Sequence, residues 1–358
     1  MSRLIRAVID TRALRSNLAA VRARAPGANV MAVVKANAYG HGLVPTALAL
    51  ADADAFAVAR LEEGLALRAA GVTKAIVLLE GVFASEQLLE AARHGFDIVV
   101  HDPVQIDLLE SFSGAHRFIV WLKIDTGMNR LGFRPADFPV ALARVRSMIP
   151  APLEIRVLTH LARADDRDDA SNREQIARFN SALGKLDYAT SIANSAGLLS
   201  GAGIHADWVR PGLALYGVSP FADQKAESLG LQPVMALEST VITIRRVPKG
   251  ETVGYSGVWR AARDSTIAII AAGYGDGLPR NLPSDTPVLI AGKRATIAGR
   301  VSMDMIAVDV SELPPVHVGE SVTLWGTGLP VEEIARHAGT IPYELLCGVS
   351  QRVPLELR

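Results

Sequence analysis

Short apolar runs recur along the first two-thirds of the chain. They read MAVV (31–34), AFAVA (55–59), AIVLL (75–79), DIVV (97–100), FIVWLKI (118–124), LEIRVL (153–158), YATSIA (188–193) and DWV (207–209). The first five begin about 20–24 residues apart, which is room for a strand, a helix and two short loops. Helical spacing fills the intervals, as in LEEGLALRAAG (61–71) and SEQLLEAARHG (85–95). In the second of these, Leu88, Leu89, Ala92 and Phe96 approximate one face, Ser85 is a candidate N-cap and Gly95 a candidate stop. Eight apolar strands alternating with helices predict a (β/α)₈ TIM barrel, an α/β fold. An open doubly wound sheet is the alternative, because strand count alone does not close a barrel.

The texture then changes. ALESTVITIRRV (236–247), STIAIIAAGY (265–274), PVLIAGKRATIAG (287–299), DMIAVDV (304–310) and ESVTLWG (320–326) are β-like, and helical pattern is scarce until VEEIARHAG (331–339). The expected division is a barrel over residues 1–230 and a mainly β domain over 231–358, joined near SPFADQKAESLGLQP (219–233). The pattern shows neither an internal repeat nor a low-complexity tract.

Composition narrows the classes without naming a chemistry. The 358 residues suit about two domains. A hydrophobic share of 49% with 21% charged residues excludes a disordered chain. The 37 basic and 37 acidic residues balance, which speaks against a broad nucleic-acid-binding face. A single cysteine, Cys347, forbids a disulfide within the chain and fits a reducing compartment. The opening MSRLIRAVIDTRALRSN has no uninterrupted apolar core of a signal peptide. No apolar run approaches the ~18 residues of a membrane helix, so a cytoplasmic protein without membrane attachment is expected.

Catalytic groups of such a barrel project from the C-terminal ends of its strands. Lys35 follows the first strand, Lys123 lies near the end of the fifth, His160 follows the sixth, Asn194 and Ser195 the seventh, and Arg210 the eighth. A lone lysine at a strand end is usually solvated; the informative feature is five strand ends offering polar groups to one mouth. Competing motifs are weak. GAGIHA (201–206) has the shape of a dinucleotide loop but follows no suitable strand. CxxC, HExxH and GxSxG are absent and the eight histidines are scattered, so no metal is expected.

One resemblance covers the whole chain. AVVKANAYGHG (32–42), KIDTGMNRLGF (123–133), THLARAD (159–165), NSAG (194–197), RPGLALYG (210–217), VGYSG (253–257), GYGDGLPR (273–280), GRVSMDM (299–305) and YELLCGVSQRVP (343–354) resemble, in order, the blocks of the alanine racemase family. That resemblance implies a barrel followed by a β domain, a pyridoxal 5'-phosphate cofactor, and interconversion of L-alanine and D-alanine. It implies a homodimer with shared active sites, and a role in making D-alanine for a cell wall or in its breakdown. By the same resemblance, Lys35 forms the cofactor aldimine and serves as one base, and Tyr255, brought in from the partner subunit, serves as the second. Tyr39, Ser195, Gly212, Leu213 and Tyr343 match phosphate-binding positions. Arg210 matches the residue facing the pyridine nitrogen; a permanent cation there disfavours a second positive charge on the ring. His160 matches the histidine between Tyr255 and Arg210. Arg130 and Met303 match substrate-handling positions, with Asp304 beside them, and Lys123 matches a lysine often carboxylated by CO₂. Tyr274, Arg280 and Arg300 match the access corridor less securely. A broad-specificity racemase, a basic amino-acid decarboxylase of related fold and a non-catalytic cofactor-binding protein are the competing readings.

Overall fold

The computed structural model describes residues 4–201 and 204–358, so Ala202 and Gly203 of the GAGIHA stretch lie outside the described residues. Its first strand, β1 (Arg6–Ile9), leads into a helix over Thr11–Arg24. The carboxylate of Asp10 caps that helix, accepting from the amides of Arg12 and Ala13 at 2.8 and 3.1 Å.

Eight parallel strands then close a barrel: β2 (Asn29–Val33), β3 (Ala55–Val58), β4 (Ala75–Leu78), β5 (Asp97–Val100), β6 (Ile119–Lys123), β7 (Glu154–Leu158), β8 (Thr190–Asn194) and β9 (Trp208–Arg210). Each lies within one of the eight apolar runs or overlaps it closely, and β9 returns to pair with β2, so the sheet is closed rather than open. The runs are continuously apolar because parallel strands are covered on both faces, by helices outside and by packed side chains inside. The helix over Ser85–His94 stops at Gly95, whose φ of 60° is left-handed, but its N-cap is Ala84. Ser85 is thus the first helical residue, one position inside the expected cap.

The second half is built on alternation. In β10 (Met235–Val247), Met235, Leu237, Ser239 and Val241 point inward. A small two-stranded ribbon, β11 (Thr252–Val253) and β12 (Trp259–Arg260), follows. Strands β13 (Ser265–Ile270), β14 (Pro287–Ile290), β15 (Lys293–Ile297), β16 (Ile306–Asp309) and β17 (Ser321–Trp325) join β10 in an antiparallel ring of order β10-β13-β16-β15-β14-β17, so six strands form a second, smaller barrel. The irregularity between Val241 and Thr243 lets β10 bend between its two neighbours. β1 lies in the stretch expected to build the first barrel, yet it pairs antiparallel with β10 and parallel with β18 (Leu355–Leu357). Helices over Val331–Ala338 and Pro342–Gly348 bring the chain back toward the large barrel, where the Ser219 amide donates to Glu332 across the junction.

Candidate active site

The site begins with a backbone contortion. After β2, Lys35 opens a turn in which Ala36, Asn37, Ala38 and Tyr39 have φ of 53°, 54°, 54° and 51°. Left-handed backbone costs about 1–2 kcal/mol for each residue with a Cβ, so four in succession need outside support. Glu63 supplies part of it, accepting from the Ala36 amide at 2.6 Å and from the Ala59 amide at 3.0 Å. The Asn37 side chain accepts from the Leu43 amide at 2.8 Å. At Gly40 a Cβ would fall 2.1 Å from the Leu346 carbonyl oxygen, so the helix Pro342–Gly348 seats directly on the turn. Strain held this firmly is typical of a functional site.

Around Lys35 stand cations with few anions. Arg210, ending β9, is buried; its guanidinium donates to Ser191 Oγ at 2.5 Å and to the Thr159 carbonyl at 2.6 Å, and lies 3.5 Å from His160 Nδ1. Among the described residues no carboxylate pairs with it. Burial lowers its pKa to about 10, which leaves it charged at neutral pH. Lys123, ending β6, is also buried and is pushed down to about 8, first by burial and then by Arg210 and Arg130, against the opposing pull of Asp125. His160 is held well below its ordinary value by burial and by Arg210, Lys123, Arg130 and Lys35. It is neutral, and its position against Arg210 makes Nδ1 the acceptor. Its backbone is clamped by Gln175, which donates to the His160 carbonyl at 3.1 Å. The loop carrying Arg130 is folded by Asp125, which accepts from the amides of Gly127 and Asn129 at 2.9 and 3.0 Å.

A second cradle lies after β8 and β9. Asn194, not Ser195, caps the helix Ser195–Leu199, accepting from the Gly197 amide at 2.9 Å. Ser195 Oγ is therefore free to accept from the amides of Gly212 and Ala214 at 2.9 and 3.1 Å, keeping its own proton to donate. Leu213, between them, opens a 3-10 turn. A Cβ on Gly212 would lie 2.5 Å from the Tyr39 hydroxyl oxygen, so glycine is what lets the phenol approach. The Tyr343 ring is 5.6 Å from that of Tyr39. Burial raises both phenols, Tyr343 to about 12 with help from Asp165, so both remain protonated donors. Hydroxyl donors beside an amine and a buried guanidinium fit a phosphate-bearing, aldehyde-carrying cofactor.

Lys35, Tyr39, Lys123, Arg130, His160, Ser195, Arg210, Gly212 and Tyr343 thus surround one mouth. Tyr255 does not join them within the chain. It sits between β11 and β12 and is 66% exposed, with no hydrogen bond from its side chain among the described residues. The turn bearing Met303, 53% exposed, adjoins it. There the Gly275 amide donates to the Met303 carbonyl at 2.8 Å, and Gly254 approaches Arg300. Arg352 braces this face from behind, reaching Asp276 at 2.7 Å and Asp304 at 2.9 Å. Arg280 is exposed and Tyr274 partly so.

Sequence reasoning passed over Glu63, Ser191, Tyr216 and His41. Glu63 carried a signal, an acid three residues after Arg60 at a helix start. Tyr216 and His41 lay inside quoted blocks, with nothing in their spacing to mark a role.

The chain is similar to known proteins along its whole length. Residues 9–220 match the family described as alanine racemase, N-terminal domain, and residues 234–357 match alanine racemase, C-terminal domain. An alanine racemase of Nitrosospira multiformis is 48% identical over 355 residues, covering 99% of each chain. The crystal structure of the biosynthetic alanine racemase from Pseudomonas aeruginosa superposes with a TM-score of 0.97 at 44% identity over 100% of both chains. That of alanine racemase from Bartonella henselae with covalently bound pyridoxal phosphate gives 0.91 at 32% identity, again over 100% of both. With both domains matched and nearly half of all positions identical along the full length, this chain belongs to the alanine racemase family of pyridoxal phosphate-dependent isomerases.

Proposed function

We propose that this chain interconverts L-alanine and D-alanine by two proton transfers on opposite faces of the α-carbon, Lys35 serving one and the partner subunit's Tyr255 the other. The observation that carries this reading is the division of the chemistry. Lys35, Arg210, His160 and Lys123 converge at the strand ends of one barrel, while Tyr255 stands exposed on the other domain.

Bound pyridoxal phosphate supplies the electron sink that acidifies the substrate's α-hydrogen. The chain's residues do the rest. Tyr39, Ser195 and Tyr343 donate to the phosphate, with the backbone at Gly212 and Leu213 lining its seat. Lys35 would hold the cofactor through its side-chain amine and, as a free amine, would take or return the proton on its own face. Arg210 cannot accept a proton, so facing the ring of the cofactor it would disfavour a second positive charge there and so disfavour transamination. Neutral His160 would pass the influence of Arg210 on to the partner subunit's Tyr255. Arg130 and the Met303 amide hold the substrate carboxylate, and Asp304 shapes that end. The lowered pKa of Lys123 supports carboxylation, because only the neutral amine adds CO₂, releasing one proton and leaving an anion beside Arg130. The homodimer and a cytoplasmic place supplying D-alanine to a cell wall belong to the same proposal. Among the described residues no helix is long and apolar enough to cross a membrane.

The test is complementation. Co-expressed Lys35→Ala and Tyr255→Phe chains pair at random. A hybrid dimer with shared sites gathers both lesions at one site and leaves the other intact. Roughly a quarter of wild-type activity then returns, whereas each variant alone gives almost none. No recovery in verified hybrids rejects the shared site, and absence of alanine racemisation by the wild-type holoenzyme rejects the reaction.

A further inference from the structure

His41 is fully buried, six residues after Lys35. Its Nδ1 lies 3.0 Å from the Ala38 carbonyl and 2.9 Å from the Tyr39 carbonyl. Two acceptors require that nitrogen to carry the proton. Nε2 is then an acceptor, and it has no hydrogen-bond partner among the described residues. A buried polar atom left in this state is unfavourable, by about 1–3 kcal/mol, and calls for a compensating role. The ring stacks on Tyr216, with centroids 4.5 Å apart, and the Tyr216 hydroxyl donates to the Val33 carbonyl at 3.0 Å. Tyr216 also meets the Tyr39 ring at 4.9 Å. One side chain thus ties together the carbonyls of two left-handed residues and, through Tyr216, the ring of Tyr39 and the end of β2 that leads into Lys35.

We propose that His41 is a positioning residue: as a neutral, Nδ1-protonated imidazole it staples the left-handed turn Ala36–Tyr39 and so fixes where Lys35 and Tyr39 meet the cofactor. The inference rests on the assignment of Lys35 and Tyr39 as cofactor-binding residues. Without the staple, the four residues fall back toward right-handed backbone, which swings both side chains away from the mouth. A residue that only filled space could be replaced by any ring of similar size. The staple needs an N–H at one position.

Two replacements separate these roles. His41→Phe keeps the stack on Tyr216 and loses the donor, while His41→Asn loses the ring and keeps an N–H near Nδ1. In variants that retain the wild-type melting profile, pyridoxal phosphate binding to apoprotein is followed by fluorescence quenching, and the Lys35 adduct by borohydride trapping. His41→Phe is expected to bind the cofactor at least tenfold more weakly and to form the adduct at least tenfold more slowly. In the reconstituted enzyme kcat should fall more than KM. His41→Asn should restore most of each loss. Equal behaviour of the two variants, or undiminished trapping in His41→Phe, overturns the proposal. Undiminished trapping together with adduct formation at a different lysine overturns the Lys35 assignment instead. Should neither variant fold, the native enzyme answers. With histidine rings labelled with ¹⁵N, the buried imidazole should appear as a slowly exchanging Nδ1–H tautomer. His160 and His101 are distinguishable from it, since their contacts to Arg210 and to the Glu80 carbonyl make each an Nε2–H tautomer. Absence of any buried Nδ1–H signal overturns the staple.

Discussion

Arg210 and Tyr255 stand for two differently finished surfaces. The guanidinium of Arg210 is enclosed by the oxygens of Ser191 and Thr159 and by the carbonyl of Ile192, all from its own barrel. Tyr255 is open, and the turns beside it are held by backbone hydrogen bonds and by Arg352 with its two aspartates. Met303, Met305, Val258 and Tyr274 share that openness. The difference teaches where each group's energy is anchored. A barrel residue is held by contacts that also hold the fold, so changing it disturbs chemistry and stability together. An exposed residue such as Tyr255 can be changed with little effect on the stability of its own chain, and on the proposed mechanism its effect is looked for at the partner subunit's site.

The largest expected effect is on the enclosed side. On the proposed mechanism Lys35→Ala removes both the covalent anchor and one base, and racemisation measured by polarimetry should fall by more than about 10⁴-fold. No borohydride-trapped adduct should form, and an adduct mapped to Lys123 would break the assignment. Tyr255→Phe comes next. A loss of about 10²–10⁴ in kcat is expected. Because the residue is exposed, unfolding free energy should move by no more than about 0.5 kcal/mol. In D₂O the variant should exchange the α-proton of one enantiomer faster than it racemises it; equal loss of both would make the open face structural.

Two smaller effects sharpen the comparison within the barrel itself. Lys123 has a folded pKa of about 8, below its ordinary 10.5. The folded protein sheds that proton first, so stability rises with pH between those values and the residue weakens the fold below about pH 8. In CO₂-free buffer, Lys123→Met apoprotein should gain on the order of 2 kcal/mol against urea at pH 7, and lose that advantage by pH 10. At the other end, Asp97 opens β5, buried, with its carboxylate 3.9 Å from Arg156. Burial pushes it up to about 6. A raised carboxyl favours the fold while protonated, so its contribution is lost as pH rises from about 4 to about 6. Asp97→Asn should therefore stabilise the protein above pH 6 by about 1–2 kcal/mol, with kcat/KM unchanged. A change in catalysis would show that charge at the base of the barrel reaches the rim.

The parts legible in the sequence were those with local signals. Each barrel strand announced itself because burial on both faces demands an unbroken apolar run, and the strand-end polar groups followed from the strands. β1 was not legible, since RAVI is short and its partners Met235–Glu238 and Leu355–Leu357 lie far along the chain. That Asn194 rather than Ser195 caps its helix was not legible either, because two suitable caps stand side by side. The left-handed turn was the least legible feature. Alanine gives no hint of positive φ, and what stabilises it comes from Glu63 and Leu346, far along the chain, and from adjacent His41, whose spacing marks no role.

The place of β1 has a consequence for how the molecule is made. Barrel strands pair with neighbours a few dozen residues away, apart from the closure of β9 on β2. β1 waits for β10 on one side and for β18 on the other, and Arg6 then pairs with Glu238 and Glu356 at once. During vectorial synthesis the large barrel can therefore assemble while the strand ahead of it remains an unpaired edge, exposed to other nascent chains. The six-stranded ring covers one side of that edge, and β18 with the flanking Pro354 and Arg358 covers the other. Among the described strands, the first is thus clasped by the last.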